Sequence, residues 1–288
     1  MASDSILLNI GVNMVPGPQP GMEAPSADEA WQSLLGILVK CGQPVKPRGQ
    51  DTREVLHHIS LTTDLNRPVI TCPARKLNYH FMAAEALWIV QGRNDLEFLT
   101  NHNSKMAQFS DDGKTLAGAY GPHIQPQLPY VVRCLLHDRD TRQAALTIWT
   151  PNPATSKDIP CTIAMVFSIR QSKLYQHVFM RSSDAWLGVP YDVFSFAMVA
   201  ANVACQHNAI CRTSERIGLG HQTITMTSSH LYETNHEAAL GILVAPATSP
   251  CAPVPEMTVY QGRWDYLRTT LETTMTTRAK TGPFQPEP

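Results

Sequence analysis

Three stretches of this 288-residue chain carry residue types that could do chemistry. The first is Pro160-Cys161, at the mouth of an alternating apolar segment. A cysteine attacks as the thiolate, which needs positive charge close by; Arg142 and Arg181 flank the segment in sequence. Taken alone, Cys161 reads more simply as a core residue. The second is Glu85, the single carboxylate in Asn78 to Gln91, a segment apolar nearly all round. A helix of that kind is buried, and a carboxyl inside it would titrate high and could move protons or order water. Taken alone, Glu85 reads more simply as a surface residue. The third is the run from Arg181 to Asp192, dense in polar groups before Gly188 and Pro190 turn it into an apolar helix. An adjacent Arg and Ser (181 and 182) can bind a phosphate, one as a planar fork and the other as a hydroxyl donor. Asp192 would sit in the first helical turn, where the helix dipole favours a carboxylate in any case. Further on, His230 and Tyr232 are two apart and would share one face of a strand, reading equally as half-buried polar residues.

These residues need elements to position them. Ser26 and Glu29 form a capping box, followed by Trp31, Leu34, Leu35 and Leu38 at helical spacing and closed by Gly42. Residues 43 to 53 read as a polar loop containing Lys46, Arg48 and Arg53, and 54 to 62 as a strand. The helix from Asn78 ends before Gly92, and 93 to 125 read as mixed with loop. Ala144 to Trp149 reads as a strand. Cys161 to Ile169 and Leu174 to Arg181 form a hairpin joined near Gln171 to Lys173. Pro190 opens a long helix to about Cys205, and His221 to Thr227 is another strand. The Thr-rich tail from Thr269 has no clear pattern.

Hydrophobic residues are 43% and charged residues 16% of the chain, enough for a packed core, and its length suits one α/β domain over 26–288 behind a surface segment, 1–25. The net charge of −1 points to neither a nucleic-acid backbone nor a membrane surface as partner. Seven cysteines without a CxxC pair argue against a disulfide framework or a zinc site and fit a reducing cytoplasm. The first residues lack the basic-then-apolar pattern of a signal peptide, and the longest strongly apolar stretch, Phe196 to Cys205, is too short to span a bilayer.

Together the segments resemble the thymidylate synthase superfamily. Arg181-Ser-Ser-Asp-Ala-Trp-Leu-Gly-Val-Pro-Tyr-Asp192 is similar to its RSxDxxLGxPxN signature and Glu85-Ala-Leu-Trp-Ile-Val-Gln-Gly92 to its ELLWFLxG helix. Gly118-Ala-Tyr-Gly121 matches GxYG, Arg142 to Trp149 the RRxxxxxW strand, Pro160-Cys161 the nucleophile's PC, and His230-Leu-Tyr232 the HxY element, all in order. The resemblance implies a mixed α/β fold of β-sheet layers around a long buried helix, paired into a homodimer through the sheet. It implies 5,10-methylenetetrahydrofolate as cosubstrate, a pyrimidine nucleoside monophosphate as acceptor, and no metal. Cys161 would attack C6 of the base, Glu85 would organise water and protons, and Tyr120 would help remove the C5 proton. Arg48, Arg181 and Ser182 would bind the 5′-phosphate, with Arg142 reaching in from the partner subunit. His230 and Tyr232 would hold the sugar hydroxyl, and Asp184, with Leu187 and Gly188 beside it, would meet the pterin.

The departures from the pattern are informative. Gln143 replaces the second arginine of the pair, Ser183 a cysteine, Thr162 a histidine, and Asp192 the asparagine that reads the base. The two tryptophans expected before GxYG are absent, with Met106 and Phe109 near their places. An amide offers a donor and an acceptor, which suits uracil; an ionised carboxylate only accepts, which suits the amino group of cytosine. The deoxycytidylate hydroxymethylases of phages carry Asp at this position. In the synthases one of the missing tryptophans shields the exocyclic methylene from water. The resemblance therefore implies conversion of dCMP to 5-hydroxymethyl-dCMP in the cytoplasm, that of a host if the chain is phage-encoded. The alternatives are dCMP methylation, a dUMP- or CMP-acting relative, and a non-catalytic nucleotide binder.

Overall fold

The computed structural model describes residues 26–244; the expected surface segment 1–25 and the Thr-rich tail lie outside them. Seven helices, α1 (Ala27–Cys41), α2 (Tyr79–Val90), α3 (Leu96–Thr100), α4 (Gly121–Ile124), α5 (Leu128–His137), α6 (Val189–Ile210) and α7 (Glu233–Val244), accompany six strands, β1 (Gln43–Val45), β2 (Thr52–Asp64), β3 (Ala145–Thr147), β4 (Thr162–Arg170), β5 (Lys173–Asp184) and β6 (Gly218–Tyr232), among the described residues. The strands form one sheet in the order β1-β2-β6-β5-β4-β3. β5 and β6 are parallel and every other pair is antiparallel, so the sheet is mixed, as expected.

The local causes are visible. The capping box forms, with Ser26 Oγ accepting from the Glu29 amide at 3.3 Å and Glu29 Oε2 from the Ser26 amide at 3.2 Å. α1 then buries Trp31, Leu34, Leu35 and Leu38. Gln171 and Ser172 both take positive φ, 51° and 56°, the geometry that lets a two-residue turn follow the twist of a hairpin, here β4–β5. A parallel pair needs a long crossover, and α6 supplies it between β5 and β6. α6 is long and apolar enough, by length and composition, to cross a membrane, but the fold explains the composition: most of it is buried against α2 and the sheet.

Several expectations change. β1 lies inside the segment read as loop, because residues 43–45 pair with 52–54. β2 begins at Thr52, β3 is confined to Ala145–Thr147, α6 continues from Cys205 to Ile210, and β6 runs on to Tyr232. α5 was not anticipated, although Leu128, Val131, Val132 and Leu135 fall at helical spacing; Pro122, Pro126 and Pro129 make the segment look broken, yet Pro129 sits in the first turn, where a missing N–H costs nothing. α7 buries only Ala239 and Ile242, too thin a stripe to read from sequence.

Two register shifts shape the site. β2 carries an extra residue between Leu56 and Ile59 against β6, and β4 one between Thr162 and Ala164 against β5. A bulge bends its strand and re-aims side chains. Across it the buried positions change parity, from Val178 and Met180 to Ser183 on β5 and from Ile224 and Met226 to Ser229 and Leu231 on β6.

Candidate active site

Cys161 lies immediately before β4, half-buried beside the bend. Its carbonyl accepts from the Arg181 amide at 2.9 Å, which fixes the end of β4 to β5. The Ser182 hydroxyl donates to Cys161 Sγ at 3.7 Å and accepts from Arg181 Nη1 at 3.2 Å. The remaining faces of that guanidinium hold the loop ahead of the cysteine, Nε to the Pro160 carbonyl and Nη2 to that of Ile159, each at 2.9 Å. It also lies over Trp149, 5.7 Å from the ring centre. Arg181 therefore positions the loop as well as supplying charge. Burial pushes the Cys161 thiol above its ordinary range, Arg181 and Ser182 pull it down, and Asp192 and Asp158 push it up again.

Opposite stand two carboxyls. Among residues 81–90 only Glu85 keeps appreciable surface. Its carboxyl is nonetheless strongly desolvated, which pushes its pKa up to about 8, with repulsion from Asp192 adding. Asp192, in the first turn of α6, is pushed up to about 7 by burial and then by Asp184. Tyr120, just before α4, is stacked on Phe196 at 6.2 Å, and its hydroxyl titrates well above the ordinary range because of burial, Asp192 and Cys161. Asp192 and Tyr120 thus link Cys161 to Glu85 electrostatically.

A turn joins β5 to α6. Asp184 Oδ1 accepts from the amides of Trp186 at 2.8 Å and Leu187 at 2.9 Å. Leu187 is exposed, and a Cβ on Gly188 would come within 3.2 Å of the Asp184 carbonyl and 3.3 Å of Asp192 Oδ2, so the position is tight for a side chain. α1 anchors this turn, because Trp31 Nε1 donates to the Ala185 carbonyl at 2.7 Å. Asp184 is the cross-strand neighbour of His230, whose own neighbour on the other side is Glu54. The His230 and Tyr232 rings meet edge to face at 5.4 Å. Burial lowers the His230 pKa, and Asp184 and Glu54 partly restore it. Arg48 is exposed in a 3-10 turn with φ 50°, a left-handed conformation that a non-glycine residue holds only under constraint, and its charge reaches His230. Arg142 is exposed between α5 and β3 and joins no hydrogen bond or ion pair among the described residues.

Two neighbours of the site were not anticipated. Glu54 Oε1 accepts from Ser228 Oγ at 2.5 Å, beside His230. Arg75 donates to the Trp186 carbonyl at 2.7 Å, lies over the Trp186 ring at 4.7 Å and acts on Asp184. Glu54 alternates like any strand residue; the cluster Arg75-Lys76 ahead of a buried helix was the one available signal for Arg75. No group of three His, Cys, Asp or Glu among the described residues could hold a metal ion.

The sequence model of the family described as thymidylate synthase matches residues 29–270. The chain belongs to the thymidylate synthase family. Within the family it is similar to three phage proteins, each named deoxyuridylate hydroxymethyltransferase. The one from Bacillus phage SP01 is 32% identical over 180 residues, 56% of this chain and 47% of that protein. The one from Pseudomonas phage M6 is 30% identical over 210 residues, 68% of this chain and 58% of that protein. The one from Delftia phage PhiW-14 is 34% identical over 152 residues, 47% of this chain and 42% of that protein. The chain spans about half the length of the curated relatives it matches.

Proposed function

We propose that this chain transfers a one-carbon unit from 5,10-methylenetetrahydrofolate to C5 of a deoxypyrimidine 5′-monophosphate and releases the 5-hydroxymethyl nucleotide. The observation that carries this reading is Cys161 held under the Arg181–Ser182 pair, with Asp192 and Tyr120 close enough to act on it and Glu85 close enough to act on those two. Cys161 adds to C6 as the thiolate, which makes C5 nucleophilic. The folate supplies carbon at the oxidation level of formaldehyde. Tyr120 would help remove the C5 proton. Glu85, neutral for much of the physiological range, can donate as well as accept. The methylene–nitrogen bond then breaks and tetrahydrofolate leaves, water adds to the exocyclic carbon and gives up a proton, and the thiolate leaves C6. Met106 and Phe109 support the water step, since neither carries the indole that shields the methylene in the synthases. Arg48 and Arg181 would bind the phosphate, His230 and Tyr232 the sugar. Asp184, both of whose turn bonds go to Oδ1, offers Oδ2 to the pterin beside Leu187 and Gly188. Arg142 would serve the site of a second copy across the uncovered sheet face, where Ser60, Thr62, Thr223, Thr225, His177 and Phe179 lie half-buried or exposed. A binder without turnover would need neither Cys161 nor Glu85.

For the base, we favour dCMP, because an ionised Asp192 only accepts and so suits the cytosine amino group. A second reading, dUMP, is favoured by the names of the phage relatives and by one property of Asp192. With a pKa of about 7 it carries a proton on a substantial fraction of molecules near neutrality. A neutral carboxyl has one donor and one acceptor, as an amide does, and can meet uracil too. The test is mass analysis of products from dCMP, dUMP and CMP supplied with methylenetetrahydrofolate. A gain of CH2O without dihydrofolate formation is expected, and a gain of CH2 with dihydrofolate would replace hydroxymethylation by methylation. Asp192→Asn should shift the dCMP/dUMP ratio toward dUMP by about ten- to a hundredfold, the cost of one mispaired buried polar group. An unchanged ratio would remove Asp192 from base choice.

A further inference from the structure

Two loops deliver the reacting side chains. Residues 151–160 lead into Cys161, and residues 110–119 lead into Tyr120. They are laced together: Ser156 Oγ donates to Asp111 Oδ2 at 2.5 Å, and Lys157 Nζ to the Ser110 carbonyl at 3.3 Å. The contact nearest both reacting residues is different in kind. The Gly118 amide, two residues before Tyr120, donates to Asp158 Oδ2 at 2.8 Å, three residues before Cys161. A Cβ on Gly118 would sit 2.7 Å from Asp158 Oδ1, so the glycine exists at this place because the carboxylate lies flat against its backbone. Gly118 is buried and Asp158 half-buried, which makes this bond worth more than the exposed Ser156–Asp111 bond beside it.

We propose that Asp158 is a positioning residue that ties the loop carrying Cys161 to the turn carrying Tyr120, and so sets the spacing of nucleophile and phenol. This rests on Cys161 being the nucleophile. Arg181 holds the same loop from the sheet side, through the Ile159 and Pro160 carbonyls, so the loop is fixed from both ends of its last three residues. Its carboxylate has a second consequence. The groups facing the Cys161 sulfur are Arg181 and Ser182 from β5, Asp192 from α6, Tyr120 from the turn, and Asp158 from its own loop, and the negative charge of Asp158 works against the thiolate.

The two roles separate in variants. Asp158→Asn keeps an oxygen for the Gly118 amide and removes the charge; Asp158→Ala removes both; Gly118→Ala forces the carboxylate away. Turnover is read as tritium release from 5-labelled dCMP and dUMP, and the thiolate as the pH profile of Cys161 alkylation by iodoacetamide, located by peptide mass. Asp158→Ala and Gly118→Ala should each lower kcat by roughly tenfold or more with nucleotide KM little changed, as expected when reacting groups are displaced by a fraction of an ångström. Asp158→Asn should keep kcat within about threefold of wild type while its alkylation midpoint moves down by roughly half a pH unit. The proposal is overturned by a Gly118→Ala enzyme with wild-type kcat, by an Asn variant as slow as the Ala variant, or by identical alkylation profiles for Asp158→Asn and wild type. Alkylation needs neither nucleotide nor folate. Absence of tritium release from the wild type would therefore reject the proposed reaction while the alkylation profile still judged Asp158.

Discussion

Cys161 is half-buried and Cys205 buried, and both thiols are pushed upward by burial. For Cys205, inside α6, burial is the only influence, and its pKa rises to about 11. It is one more side chain of the core, as buried as its neighbours in α6. At Cys161 the same burial is opposed by a guanidinium and a hydroxyl, delivered by the strand next door across a bulge. The contrast teaches that desolvation alone makes a cysteine inert. Reactivity needs a cation fixed close enough to be felt in the same low-dielectric space.

Exchanging the two residues for alanine should give the widest separation. Cys161→Ala is expected to lose tritium release by roughly a thousandfold or more and to keep its melting temperature. Cys205→Ala should keep turnover per folded molecule and lose about 1 kcal/mol of stability through a small cavity. A Cys161→Ala enzyme with substantial turnover would break the comparison outright. Next in size is the cation. Arg181→Ala should lower kcat/KM by roughly a hundredfold, since it removes more than one charge-assisted hydrogen bond. Arg181→Lys should recover little, because one ammonium cannot reach Ile159, Pro160 and Ser182 together. The exposed Arg48 should differ: Arg48→Ala is expected to raise the nucleotide KM with little change in kcat.

The smallest effect is on stability against pH. Glu85 has an ordinary pKa of 4.5 and one of about 8 in the folded chain. The folded state therefore holds a proton that the unfolded state has released across that interval. The contribution is fully present below about pH 4.5 and is lost as pH rises through about 8. Thermal denaturation should show the melting temperature falling by a few degrees over that window. Glu85→Gln should flatten the decline, leaving the smaller part due to Asp192; an identical slope in the variant would mean that Glu85 is not desolvated in solution.

Much of this site was legible in the sequence, for physical reasons that differ by residue. Glu85 alone read more simply as a surface residue; the apolar helix around it and the order of the other motifs made it a candidate, and the helix is indeed buried around it. The capping box before Trp31 and the hairpin at Gln171 were legible because caps and turns are settled by neighbours in the chain. Glu54 and Arg75 were not, because their partners, Ser228 and Trp186, are more than a hundred positions away. α7 was missed because it has almost no apolar stripe to reveal it.

By itself, then, the sequence determined the residue types and the order of the elements: a cysteine before a strand, an Arg–Ser pair at a strand end, a carboxylate at the start of a long apolar helix. Periodicity, capping and turn preference act over a few residues and survive in one dimension. Only the tertiary structure decided which charges meet. It brought Arg181 to the loop before Cys161 across the β4 bulge, set Asp192 close enough to the desolvated Glu85 to raise its pKa, and laid Asp158 on the Gly118 backbone. Electrostatic energy and desolvation depend on distance through space and on what fills it, and neither quantity is written along the chain.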